Sequence, residues 1–501
     1  MKRFALLAVI TASAALADEG MWTYNSFPSP VVGKKYGFAP SQQWLDNARL
    51  ASARLTGSGG CSGSFVSPDG LVMTNHHCAH ACIEQLSTKD RDYVATGFLA
   101  PQLKDEVRCP EIEINQLVKI TDVTARIAEA TKGLKDQAFS NALKGEMSRI
   151  EQECAGGVED VRCDVVTLYR GGRYDLYQYR RFQDVRLVFA PEFDIAFFGG
   201  DPDNFNFPRY DLDMSFLRVY QDGAPAKMEH FLRFSAGGPK EGDLTFVSGH
   251  PGATSRLMTV PELEFERDQW LPFFITYLSE MRGVLEELSN RGPELKRVAT
   301  TPLFSVENSI KAFKGRRQAL VDKAFFQSKV AQENDLKKRI AGKKAYAGVY
   351  ENAARAMQTM NDLRLPYWLV EGERERPRAF PGDYFTIARK LVRAASERQK
   401  PNERRLREYV ESALPAVKQR VFSSAPIHDD LEVSLLTFGL TKLREELGAD
   451  DPVVKKVLGK ESPEEVARRV VQGTKLKDPA LRQKLFEGGA AAVDASADPA
   501  I

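Results

Sequence analysis

No charge of either sign dominates this chain: 70 basic residues face 68 acidic ones, for a formal net charge of +2. That balance gives no support to a nucleic-acid-binding protein or to one drawn to an anionic membrane surface. After the first 17 residues, no apolar run approaches the roughly 20 residues needed to span a bilayer. No repeat of fixed period is detectable, which argues against a solenoid or propeller. Cysteine is scarce, with six residues in 501. What remains is the composition of an ordinary soluble globular protein, 43% hydrophobic and 28% charged. A chain of this length exceeds a single hydrophobic core, so roughly two or three domains are expected.

The first 17 residues read as a secretory signal peptide. Lys2 and Arg3 form its charged start, residues 4–16 its apolar and small-residue stretch, and Ala15-Leu16-Ala17 an A-x-A cleavage site before Asp18. Lys2 and Arg3 carry the whole charge excess, so the mature chain is expected to be neutral. A periplasmic or secreted location follows as an expectation. An even cysteine count behind such a signal points to disulfides in an oxidising compartment. Six cysteines allow 15 pairings, and spacing alone leaves them open.

Two textures follow. Residues 18–56 look like an entry segment with a helix over 43–54. Beyond Gly57, short apolar runs alternate with turns. Ser64-Phe65-Val66, Ser67-Pro68-Asp69-Gly70 and Leu71-Val72-Met73-Thr74 spell strand, turn, strand. Residues 134–152 have helical spacing, and strands are expected over 165–169, 185–189, 194–198, 214–220 and 244–248. After Pro261 the spacing turns helical, over 262–289, 306–345, 346–363, 383–398, 403–419, 429–446 and 463–472. Residues 488–501, rich in Ala, Gly and Asp, are expected to be a frayed helix end or an abrupt stop.

The stretch most suggestive of chemistry is residues 57–82, GSGGCSGSFVSPDGLVMTNHHCAHAC. A neutral imidazole can take a proton from a nucleophile and return it to a leaving group. The cluster His76, His77, Cys78, His80 and Cys82 could instead hold a metal, or be ordinary surface polarity. The order of parts is similar to that in trypsin-like peptidases. There, one strand carries a cysteine, the next ends in a histidine followed by cysteine, and a disulfide joins the two. On that resemblance His77, directly before Cys78, is the general base, His76 its rival, and Cys61–Cys78 the bridge. Cys154–Cys163, nine residues apart around Gly156-Gly157, is expected as a local second bridge. Cys82 and Cys109 are left unassigned.

Four ordered segments carry a closer resemblance: DEGMW at 18–22, SGSFVSPDGLVMTNHHC at 62–78, GGDPDNFNFPRYDLDMSFLRVY at 199–220 and GHPGATSRL at 249–257. Over essentially its whole length the chain resembles the bacterial dipeptidyl-peptidase 7 and 11 family, serine exopeptidases with an inserted helical domain. The resemblance implies an α+β fold. A trypsin-like double β-barrel would occupy residues 18–261, with its second barrel only begun, and a helical cap residues 262–501. It implies a Ser-His-Asp peptidase releasing N-terminal dipeptides, with no cofactor and no metal. Peptides with a free N-terminal amine are the expected partners, and a homodimer stays open.

Asp213, heading the apolar strand Met214-Ser215-Phe216-Leu217, matches the family's catalytic aspartate; Asp211 is the rival. Asn204 matches an asparagine that helps hold the substrate's free amine. Phe205 stands where the family has tryptophan, and Asn308 is the counterpart of a second amine-binding asparagine. The family's nucleophile sits in a Gly-Asn-Ser-Gly-Ser type loop after the helical domain. In this chain that loop is expected beyond Ile501, so the chain reads as a fragment or a pseudoenzyme that still binds peptides. Ser62, in Gly60-Cys61-Ser62-Gly63-Ser64, imitates such a loop but fits better as the cysteine-bearing strand.

Overall fold

The computed structural model describes residues 20–57, 60–197, 204–252, 257–372 and 377–501. The expected signal peptide, residues 199–203 of the glycine-rich turn and residues 253–256 lie outside them.

Among the described residues, eleven strands form one sheet. They are β1 (Ser52–Thr56), β2 (Cys61–Phe65), β3 (Leu71–Thr74), β4 (Phe98–Leu99), β5 (Val107–Arg108), β6 (Glu113–Asp122), β7 (Val161–Leu168), β8 (Arg173–Phe182), β9 (Asp184–Ala190), β10 (Ser215–Gln221) and β11 (Ala224–Pro225). The order is β4-β9-β10-β3-β2-β1-β6-β8-β7, with β11 beside β10 and β5 beside β9. Every pairing is antiparallel. The β2–β3 hairpin forms because its turn is locally satisfied: the Ser67 hydroxyl accepts from the N–H groups of Asp69 and Leu71 at 3.2 and 3.3 Å. Gly70 closes the turn at φ 68°, and a Cβ there would meet the Val219 carbonyl oxygen at 2.9 Å, so only glycine fits. The register sets Phe65 opposite Val72, and Val72 opposite Leu217. All three side chains are fully buried, each worth roughly 1.5–3 kcal/mol.

The helix His76–Leu86 lies on this core. Ala79, Cys82 and Ile83, three and four residues apart, are completely buried in it. That seating turns His77 outward.

From Val260 the chain is helical. Thr259 and Glu262 make the capping box that starts this region. Its largest core draws on Leu369 through Ala500, and the helix Asp383–Glu397 supplies Ile387, Ala388, Leu391 and Ala394 from one face. The seam with the sheet is polar. Arg407 holds both Glu151 oxygens at 2.8 and 2.5 Å, Gln419 donates to the Ile112 carbonyl at 3.2 Å, and Arg420 pairs with Glu111.

Several expectations are corrected. The run expected as a strand over 194–198 begins instead as a helical turn, Phe193–Ala196, because Phe193 is drawn into a ring cluster with Phe197 and Phe304. Residues 244–248 form no strand, since no described strand lies alongside to pair with them. Their side chains dock on the entry segment instead, with Phe246 against Phe27, Phe38 and Trp44. The expected helix over 403–419 is two short 3-10 turns followed by the helix Leu414–Val421. The tail is not frayed: the Asp498 carboxylate accepts from the Thr474 hydroxyl and the Lys475 N–H, both at 2.7 Å, and Val493 and Ala500 are buried. Among the described residues no helix is long and apolar enough to cross a membrane.

Candidate active site

His77 stands in the first turn of its helix and not at a strand end, because β3 finishes at Thr74 and Asn75 caps the helix. The Asn75 side chain makes no cap bond within the helix. Its amide instead donates to the Asp213 backbone carbonyl at 3.1 Å and to Asp213 Oδ2 at 3.2 Å. Asp213 takes over the capping: its Oδ1 accepts the His77 backbone N–H at 3.0 Å. A carboxylate at a helix N-terminus is favoured by the exposed N–H groups and the helix dipole.

The same carboxylate reaches the ring. His77 Nδ1 lies 2.6 Å from Asp213 Oδ2, with the imidazole 60% exposed and the carboxylate 10% exposed. An ionised carboxylate only accepts, so Nδ1 carries the proton and Nε2 presents its lone pair. Burial alone would push the Asp213 carboxyl up. The bonds from the His77 ring and backbone outweigh it and hold the group below the usual carboxylate range. The arrangement supplies a base, its orienter and a fixed tautomer.

The rivals are placed elsewhere. His76 is 1% exposed and packs against the rings of His80 and Phe193, with its Nε2 unpartnered. Burial lowers its pKa. Asp211 keeps a buried, unpartnered oxygen. His80 bonds through Nε2 to the Thr301 hydroxyl at 3.0 Å, and burial lowers its pKa to about 4.

All six cysteines are paired, as Cys61–Cys78, Cys82–Cys109 and Cys154–Cys163. Ligand atoms of Cys61, His77 and Cys78 do cluster within 4.8 Å. Two of them are disulfide sulfurs, so they cannot bind a metal as thiolates. The Ser62 hydroxyl accepts the His250 N–H at 2.7 Å, and among the described residues it makes no bond to His77.

Asn204 and Asn308 meet: the Asn204 amide donates to Asn308 Oδ1 at 2.9 Å. Asn204 is buried, and Phe205 beside it is 61% exposed. One face of the long helix Pro293–Val321 ties this pair to the histidine helix. Thr301 holds His80, Phe304 stacks on Phe193 and Phe197, and Asn308 holds Asn204. Sequence reasoning missed Asn75 and Thr301. Asn75 carried a readable signal, a cap residue directly before the histidine run; Thr301 carried none.

The chain belongs to the Peptidase S46 family, whose sequence profile matches residues 17–501. It is similar to dipeptidyl-peptidases 7 and 11, as the motifs led one to expect. An Asp/Glu-specific dipeptidyl-peptidase of Shewanella putrefaciens is 28% identical over 459 residues, covering 86% of this chain and 60% of the relative. Dipeptidyl-peptidase 7 of Porphyromonas endodontalis is 36% identical over 264 residues, covering 49% of this chain and 32% of the relative. The crystal structure of P. endodontalis DPP11 in complex with the dipeptide Arg-Glu has the same fold, at a TM-score of 0.72 and 24% identity. That match covers 97% of this chain and 72% of the other. The chain spans 54–60% of the Asp/Glu-specific relatives it matches over most of its length.

Proposed function

We propose that this chain carries the base, the orienting carboxylate and the amine pocket of a serine-type dipeptidyl-peptidase that removes dipeptides from peptide N-termini. The 2.6 Å contact between His77 Nδ1 and Asp213 Oδ2 carries the reading, because it leaves an exposed, correctly tautomeric Nε2. In this reading the sheet is the first of two trypsin-like barrels, and the helical region is inserted in the second. The nucleophilic serine and its oxyanion donors belong to a loop outside these 501 residues. The dipeptide product rests on the family likeness. Thr301 and Asn308 stand seven residues apart on one helix and join the histidine helix, through His80, to Asn204. The chain is exported in the same reading, and its mature form starts at Asp18.

Calorimetry with one peptide in free and N-acetylated forms tests the binding half; only the free amine should bind to the full chain. A fluorogenic dipeptidyl substrate and a serine-reactive phosphonate test the rest. The 501-residue chain should neither turn over nor be labelled. Turnover that vanishes in Ser62→Ala would overturn the assignment of the nucleophile. Intact mass of the exported protein checks the Asp18 start.

A further inference from the structure

A second polar cluster lies away from His77, where the sheet meets the helical region. A cavity of about 220 Å³ opens there, lined by Arg162, Asp164 and Arg181 from β7 and β8, by Glu151, and by Arg407 and Ser412. Most of the charges around it are paired. Asp164 accepts from Arg162 at 3.1 Å and from Arg54 at 2.8 Å. Glu113 accepts from Arg162 at 3.0 Å, from Gln183 and Asn115 at 2.9 Å each, and from Thr56 at 3.1 Å. Glu151 takes both terminal nitrogens of Arg407 and the Val165 N–H.

Arg181 is the exception. Its side chain is 4% exposed, and its nearest carboxylate is Glu113 at 3.9 Å, beyond hydrogen-bond reach. It donates no hydrogen bond to any described side chain. Glu113 is already saturated by its four donors. Four guanidinium groups, of Arg54, Arg162, Arg181 and Arg407, therefore share three inward carboxylates, of Glu113, Asp164 and Glu151. Glu408 at the rim and the nearby Glu159 and Asp160 are exposed to water. A guanidinium has five donors and no way to shed its charge, so a buried one without an acceptor is costly. Burial, only partly offset by Glu113, pulls its pKa down, as expected for an undercompensated cation.

We infer that this cavity is a binding site for a small oxyanion, such as a phosphate, sulfate or carboxylate group, held by Arg181 with the Ser412 hydroxyl as a second donor. Its walls come from both regions, so a bound anion would fasten the sheet to the helical region at a distance from the catalytic pair.

The test is thermal unfolding of the full chain in inorganic phosphate, with chloride adjusted to constant ionic strength, and with sulfate and acetate in parallel. The unaltered protein should show a saturable rise in Tm, Arg181→Gln none, and Arg181→Lys a reduced one. Without phosphate, Arg181→Gln should melt no lower than the unaltered protein, because it removes an undercompensated buried charge. Acetate matching phosphate would mark a carboxylate site, and phosphate and sulfate alone a tetrahedral-oxyanion site. Crystals of the unaltered protein soaked in selenate give an answer that does not depend on a variant folding. An anomalous peak against Arg181 is expected. Only water at that position, or a non-saturating rise shared equally by Arg181→Gln, would overturn the proposal.

Discussion

The sheet region and the helical region solve the same problem by different means. All six cysteines lie between Cys61 and Cys163, and all are paired there; the helical region has none. The sheet needs the help because its interior is partly polar, with Glu113, Asn115, Asp175 and Arg181 all buried among its strands. The helical region rests on apolar clusters, the largest spread over Leu369 to Ala500. The contrast teaches where rigidity has been placed. Two of the disulfides anchor the helix that carries His77, whereas Asn308 comes from a region held by packing and by a polar seam. In our reading, chemistry sits on the cross-linked side and recognition is completed from the other.

The sharpest break of this comparison is at His77. In any form of the protein that turns over, His77→Ala should lose roughly ten-thousand-fold in rate, and His76→Ala far less. Release of dipeptide from a fluorogenic substrate measures both. The reverse ranking would mean that the exposed imidazole is not the base.

Next come the two kinds of glue. Replacing Cys61 and Cys78 together by serine opens a bridge across 17 residues, which should cost about 3 kcal/mol. Leu391→Ala in the helical core should cost about 2–5 kcal/mol through its cavity. Hydrogen exchange separates them. The first change should deprotect β2, β3 and the histidine helix, the second the helices around Asp383–Glu397. Deprotection of both regions by either change would show one cooperative unit and erase the distinction.

How much of this was open to sequence reading follows the same divide. The β2–β3 hairpin, the strand after Asp213 and most helices after Pro261 were legible because apolar period and turn chemistry agreed. Strands β6 and β8 escaped because charged residues break their alternation. Glu113 and Asp175 look like surface positions until Arg162 and Arg173 are found to partner them at 3.0 and 2.8 Å. Of the candidate site, His77, Asp213, Asn204 and Asn308 were named from motifs, and the structure brings them together in two pairs. The residue before the histidine run marks a helix start, but that the Asn75 amide reaches Asp213, and that Thr301 reaches His80, depends on tertiary placement that no local pattern encodes.

A smaller effect should appear with pH. His80 is buried, and its pKa is lowered to about 4 from an ordinary 6.5. Above pH 6.5 both folded and unfolded chains hold it neutral, so it contributes no pH dependence there. As pH falls from 6.5 toward 4 the unfolded chain takes up a proton that the folded one refuses, and stability drops. The loss should be about 2 kcal/mol by pH 5. Urea unfolding at pH 7 and pH 5 measures it, and His80→Gln should flatten the difference by that amount. An unchanged pH slope in His80→Gln would place the titration elsewhere, with the half-buried His250, also lowered to about 4, as the next group to replace.

An effect of similar size probes the joint between the two regions. The Asn204 amide spends one proton on Asn308 Oδ1 and leaves its own side-chain oxygen outside that bond. An incoming ammonium group would be offered the Asn204 oxygen and the second lone pair on Asn308 Oδ1, acceptors fixed by each other. Asn308→Ala removes one acceptor and frees the other to rotate. A hydrogen bond to a charged group is worth about 1.5–3 kcal/mol, so affinity for a free-amine peptide should fall about 10- to 100-fold. Asn308→Asp keeps the acceptor and adds a charge opposite to the ammonium, and should bind at least as tightly as the unaltered chain. Calorimetry with free and N-acetylated peptides reads the difference, and the acetylated peptide is the control for any general loosening of the helix Pro293–Val321. An equal loss for both peptides would mean that Asn308 only staples the regions together and that the amine is held elsewhere.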